Sequence, residues 1–190
     1  MSTADDLRDL AATLRASGEV LAVALGGSRL YGNDRPDSDL DVSLIVRSLP
    51  YGRRRPVHRM DGALDLWEIP LTSLAEVLAA GRLRECETVW ALQAGHGTVT
   101  DPRWEPYLLS LRPSFPSFVR TVEDSVDDPK HRVRLDLFTE RAWRTGSTDP
   151  RLSAGELAAY RSALATTGCT ADEHHRPLGE DESPYGKEGP

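Results

Sequence analysis

The unbroken apolar run Val20-Leu21-Ala22-Val23-Ala24-Leu25 predicts a strand buried on both faces, in a sheet covered by helices. Further along, the pattern becomes strict alternation. Leu40, Val42, Leu44 and Val46 fall on one side of a second strand, and Asp39, Asp41 and Ser43 on the other. Residues 57–69 read as a tight hairpin that turns at Asp61-Gly62. In its outgoing arm Leu64 and Leu66 share one face, and Asp65 and Trp67 share the other. That turn sets Met60 opposite Ala63 and His58 opposite Asp65. Elsewhere the period is helical. Leu7, Leu10, Ala11 and Leu14 predict an amphipathic helix over 3–16, and Leu74, Val77 and Leu78 one that ends before Gly81. A further helix over 85–93 carries Cys86, Val89 and Trp90 on a core stripe. His96, in the turn Gly95-His96-Gly97, is expected at the surface. Pro102, Pro106, Pro113 and Pro116 punctuate 101–116 and suggest a boundary. Beyond it three more stripes predict helices: Phe118, Val119, Val122 and Val126; then Val133, Leu137, Phe138 and Trp143; then Leu157, Tyr160 and Leu164 over 153–165.

The chemistry gathers where the first strand meets the second. Gly26 and Gly27 allow a sharp turn that exposes backbone N–H groups, and successive N–H groups in such a turn form an anion-binding concavity. The Ser28 hydroxyl adds a donor. Turn formers Gly32, Asn33, Asp34, Pro36 and Asp37 fill the loop from Arg29 to Ser38. Asp39 and Asp41 then project from one face of the second strand, about 7 Å apart by the rise per residue. Two carboxylates so close repel unless a cation neutralises them. A hard divalent ion such as Mg²⁺ suits them, taking carboxylate oxygens while keeping positions open for phosphates. Aspartate is also depleted in strands, so a pair there asks for a reason. If the leucine side of the hairpin packs on the core, Asp65 joins the same surface as a third carboxylate. Glu68 is the alternative third acid, and Asp61 reads as a turn residue. His58 either orients Asp65, accepts a substrate proton, or is incidental. Arg29 reaches a phosphate or is a solvated loop arginine. Arg53-Arg54-Arg55 suits a polyanion or is simply solvated.

Gly26-Gly27-Ser28, ten intervening residues, Asp39-x-Asp41 and the later strand residue Asp65 resemble the core of the polymerase-β-like nucleotidyltransferase superfamily. Gly27-Ser28-Arg29-Leu30-Tyr31-Gly32, with Pro36-Asp37-Ser38-Asp39-Leu40-Asp41, is similar to two branches of it. One is the minimal nucleotidyltransferases, including antitoxin partners of helical ribonuclease-type toxins. The other is a group of bacterial and phage nucleotidyltransferases with a Tyr-Gly after the Ser-Arg. The resemblance covers roughly residues 18–92. It implies an α/β (α+β) fold with a mixed sheet flanked by helices; with the proline-rich boundary this gives a catalytic core over 1–100 and a helical segment over 101–168, which either shapes the acceptor pocket, as in that superfamily, or is a scaffold or dimer surface. It also implies the chemistry: Asp39, Asp41 and Asp65 as ligands of two Mg²⁺ ions, and Gly27, Ser28 and Arg29 against a nucleoside triphosphate. A nucleotide passes to an unidentified hydroxyl acceptor with release of pyrophosphate. The alternative implied role is that of an antitoxin-like protein that binds and nucleotidylates a partner toxin.

Composition narrows this further. The chain has 190 residues and a net charge of −7, which argues against broad nucleic-acid binding through phosphate neutralisation. Two cysteines far apart, Cys86 and Cys169, give no disulfide framework and fit a reducing cytoplasm. No apolar run reaches the roughly 18 residues of a membrane span. Residues 169–190 are polar and rich in Gly and Pro, so a disordered tail is expected there. Within it, His174 and His175 with Cys169 form a weak metal-binding pattern.

Overall fold

A computed structural model describes residues 3–15, 18–34, 38–61 and 64–166. In chain order the elements are α1 (Thr3–Arg15), β1 (Val20–Leu25), α2 (Gly27–Tyr31), β2 (Leu40–Val46), β3 (Val57–Asp61) and β4 (Leu64–Pro70). Then follow α3 (Leu71–Ala79), α4 (Leu83–Gln93), β5 (Gly97–Val99), α5 (Glu105–Ser110), α6 (Phe115–Ser125), α7 (Pro129–Thr145) and α8 (Ala154–Thr166). The five strands form one mixed sheet in the order β3-β4-β2-β1-β5, with helices packed against it. Residues 169–190, with the expected tail and the Cys169/His174/His175 pattern, lie outside the described residues. Among the described residues no helix is long and apolar enough to cross a membrane.

Apolar content decides which strand lies where. Every residue of β1 is buried, as a strand with neighbours on both edges and helices packed against it requires. It runs antiparallel to β2, with Leu25 opposite Val42, and antiparallel to β5 on its other edge. β2 pairs in parallel with β4, and Asp41 stands opposite Asp65. Residues opposite each other in a parallel ladder project from the same face. The C-terminal end of β1 therefore sits beside the N-terminal ends of β2 and β4, which brings the glycine turn and both aspartates to one edge of the sheet.

Two expectations from sequence are corrected. Asp61 belongs to β3 and pairs with Leu64, so Met60 faces Asp65, and His58 faces Trp67 rather than Asp65. The ladder runs one pair further than an Asp61-Gly62 turn allows; Gly62 and Ala63 lie outside the described residues. Because the displacement is two residues, side-chain parity is kept, and His58 still shares the Asp65 face. His96 is not at the surface. Its side chain is 16 % exposed, and Nε2 lies 2.9 Å from Asp149 Oδ1, because the 146–153 segment folds back over it. Arg141 donates to the Asp149 and Arg151 carbonyls and fixes that segment.

β5 leaves no alternation to read, being three residues long. It is admitted by close approach: a Cβ on Gly97 would lie 2.6 Å from the Val23 carbonyl oxygen. The later helices join the core through aromatic rings. Trp90 of α4 meets Phe118 of α6 edge-on at 4.8 Å between centroids, and Phe138 of α7 at 5.3 Å. Phe118 is fully buried. Side-chain caps set three helix starts, the first at α6, where Ser114 Oγ accepts from the Ser117 N–H. The Asp128 carboxylate accepts from the Lys130 N–H at α7, and Ser153 with Glu156 forms a reciprocal capping box at α8.

Candidate active site

β1 ends at Leu25, and the Gly26 N–H donates to the Asp41 carbonyl at 2.9 Å. That bond ties the turn to the first residues of β2. Gly27 opens α2 with φ +52°, and a Cβ built on it would lie 1.8 Å from Asp41 Oδ2. The Asp41 carboxylate thus rests directly on the Gly27 backbone, in space that any side chain would fill. α2 begins with N–H groups that have no acceptor in a preceding turn.

Asp41 and Asp65 meet on the same face, their carboxyl groups close enough to hydrogen-bond. Burial pushes the Asp41 carboxyl above the usual carboxylate range. The Arg84 guanidinium pulls the other way, and the Asp65 charge and hydrogen bond add to the rise. Arg84, from α4, places Nη1 and Nη2 at 3.5 and 3.4 Å from Asp41 Oδ1. His58 Nε2 lies 2.6 Å from Asp65 Oδ1, a diagonal contact across the β3–β4 ladder. On the same face the Trp67 indole N–H donates to Glu85 Oε1 at 3.4 Å. Glu85 is buried, and burial raises its pKa.

The other sequence candidates fall into separate places. Asp39 stands one residue ahead of β2, half-buried. Its carbonyl accepts from Arg29 Nε at 3.3 Å, and that of Ser38 from Arg29 Nη2 at 2.9 Å. Arg29, in α2, therefore ties that helix to the residues just ahead of β2 through backbone oxygens. Among the described residues no three His, Cys, Asp or Glu side chains are already gathered as a metal-ligand set. Ser28 lies in the first turn of α2, half-buried. Glu68 is on the opposite face from Asp65 and pairs with Arg59 at 2.8 Å. Arg53, Arg54 and Arg55 are exposed, and Arg54 reaches Glu76 at 3.5 Å between two solvated side chains.

Sequence reasoning passed over the charged residues of α4. Glu85 precedes Val89 by one helical turn and so shares its buried stripe, a signal available in the sequence. Arg84 carried no such signal, since its partner lies 43 positions earlier. Tyr31 is buried, and burial raises the pKa of its hydroxyl. The Arg134 guanidinium carbon stacks 3.6 Å from the Tyr31 ring centroid, and Nη2 lies 3.4 Å from Glu87 Oε1. A buried Tyr–Glu–Arg group thus links the C-terminal end of α2 to α4 and α7. No protein-family model and no curated protein matches the chain significantly.

Proposed function

We propose that the chain is a Mg²⁺-dependent nucleotidyltransferase of the polymerase-β-like type. It moves a nucleoside monophosphate from a nucleoside triphosphate to a hydroxyl on a small-molecule or macromolecular acceptor. The observation that carries this reading is the parallel register of Asp41 with Asp65, beside a glycine whose missing side chain makes room for the Asp41 carboxylate. Two crowded carboxylates, one with a raised proton affinity, present oxygen donors whose charge a divalent cation would balance. The donors suit the ion: Asp41 and Asp65 would hold it, with Asp39, two positions before Asp41, as the third carboxylate of the sequence pattern.

The remaining roles follow from position. The first N–H groups of α2, with the Ser28 hydroxyl, suit phosphate oxygens of the donor. His58 keeps the Asp65 carboxylate oriented through Oδ1. Tyr31, Glu87 and Arg134 anchor the far end of α2, which helps keep its first residues in place. Bound at the carboxylates, Mg²⁺ would neutralise the developing charge on the phosphate oxygens. The acceptor oxygen bonds to the α-phosphorus as the α–β bridge breaks, pyrophosphate leaves, and the hydroxyl proton is lost to solvent.

The test pairs binding with turnover. ATP, GTP, CTP or UTP with Mg²⁺ should raise the melting temperature, since ligand at about 100 times its Kd adds about 2.7 kcal/mol of apparent stability. Asp41→Asn and Asp65→Asn should each cut pyrophosphate release by at least about 100-fold while unfolding cooperatively. Full turnover in both variants, or no response to any triphosphate, would sink the reading.

A further inference from the structure

Arg84 sits between the two halves of this site and is poorly matched to the partner it has. A guanidinium offers five donors in a planar fork suited to two oxygens at once. Here Nη1 and Nη2 both converge on the single atom Asp41 Oδ1, at 3.5 and 3.4 Å. Strong charge-assisted contacts are shorter, near 2.7–2.9 Å. Nε is buried and has no hydrogen-bond partner. The same guanidinium also lies against the turn: a Cβ on Gly26 would meet Nη2 at 3.2 Å and Cζ at 3.3 Å. The side chain is 28 % exposed, so a ligand resting on the turn can reach it.

Arg84 therefore touches both the Asp41 carboxylate and the glycine turn that opens α2. A cation at Asp41 would remove the reason for the first contact, and a polyphosphate on the turn would supply oxygens in the spacing a guanidinium prefers. We infer that Arg84 is a positioning residue with two alternative partners: it holds Asp41 while the carboxylates lack a cation, and turns its donors to the polyphosphate when a cation takes Asp41. The inference rests on the proposed transferase reading. It makes cation and polyphosphate bind cooperatively, each removing a competitor of the other, with the reciprocity that linkage demands.

The experiment is calorimetric titration of the intact chain with Mg²⁺ alone and with inorganic tripolyphosphate alone, for wild type, Arg84→Met, Arg84→Gln and Arg84→Lys. Loss of the guanidinium should move the two affinities in opposite directions. Met and Gln variants should bind Mg²⁺ about three- to tenfold more tightly and tripolyphosphate about tenfold more weakly, within the usual range of coupling between sites. The Lys variant should fall between them and wild type. A purely structural role would shift both affinities the same way and lower the melting temperature, which overturns the inference. Unchanged affinities in Met and Gln variants of a protein that binds both probes would also overturn it, with the transferase reading left standing. A wild-type chain that binds neither probe would end both.

Discussion

Gly27 carries two constraints at once, and they separate it from its neighbour. Its φ of +52° belongs to the left-handed region, which costs an L-residue about 1–2 kcal/mol. Its absent Cβ also leaves the space that Asp41 Oδ2 occupies. Gly27→Ala must therefore strain the backbone and displace the carboxylate together. We expect a stability loss of about 1–3 kcal/mol by urea denaturation, with loss of Mg²⁺-dependent triphosphate binding in thermal shift. Gly26→Ala serves as the comparison. Its nearest neighbours at 3.2–3.3 Å are the end of the Arg84 side chain and Asp41 Cβ, so its cost should stay below about 1 kcal/mol. Equal losses in the two variants would show that Asp41 does not depend on the bare Gly27 backbone.

At the scale of elements, the site hangs on contacts between α2, α4 and α7. Glu87 and Arg134 have side chains only 11 % and 13 % exposed, and Arg134 stacks on the Tyr31 ring. Removing one partner of such a pair leaves an uncompensated buried charge, which typically costs about 3–5 kcal/mol. Arg134→Met should show a loss of that order, and Glu87→Gln a smaller one. The double variant should recover part of the sum, giving a coupling energy of about 1–3 kcal/mol in a double-mutant cycle. Strict additivity would mean that the three elements are held by something else. These contacts also mark where the sequence stopped being readable. Asp41 and Asp65 could be placed on a common face from alternation once the leucine sides of both strands were set on the core, because a period of two fixes parity without fixing register. The pairing of His58 with Trp67 could not, because it depends on how far the β3–β4 ladder runs before it turns. Arg84 and Arg134 were equally hidden. Their partners lie 43 and 47 positions away, on elements that no local pattern places against them.

For the whole molecule the question is whether the sheet and the later helices melt together. One buried apolar cluster runs from Leu7 through β1 and β2 to Tyr160 and Leu164. Its densest aromatic contact is Phe118, set between Trp90 and Phe138 at 4.8 and 5.7 Å. Phe118 is fully buried, so its truncation removes packing that no rotamer change nearby restores. Phe118→Ala should cost about 3–5 kcal/mol. The larger point is the shape of the transition. Because α6 and α7 reach the sheet through Trp90, and α7 reaches α2 through Arg134, unfolding of the helices removes support from both. Helical circular dichroism and tryptophan fluorescence should therefore trace a single coincident transition in wild type and variant. Two separated transitions, with Phe118→Ala lowering only the second, would mean that the strands keep their structure without the helices. The brace on α2 would then be dispensable, and the acidic pair would have to hold its geometry from the β2–β4 register alone.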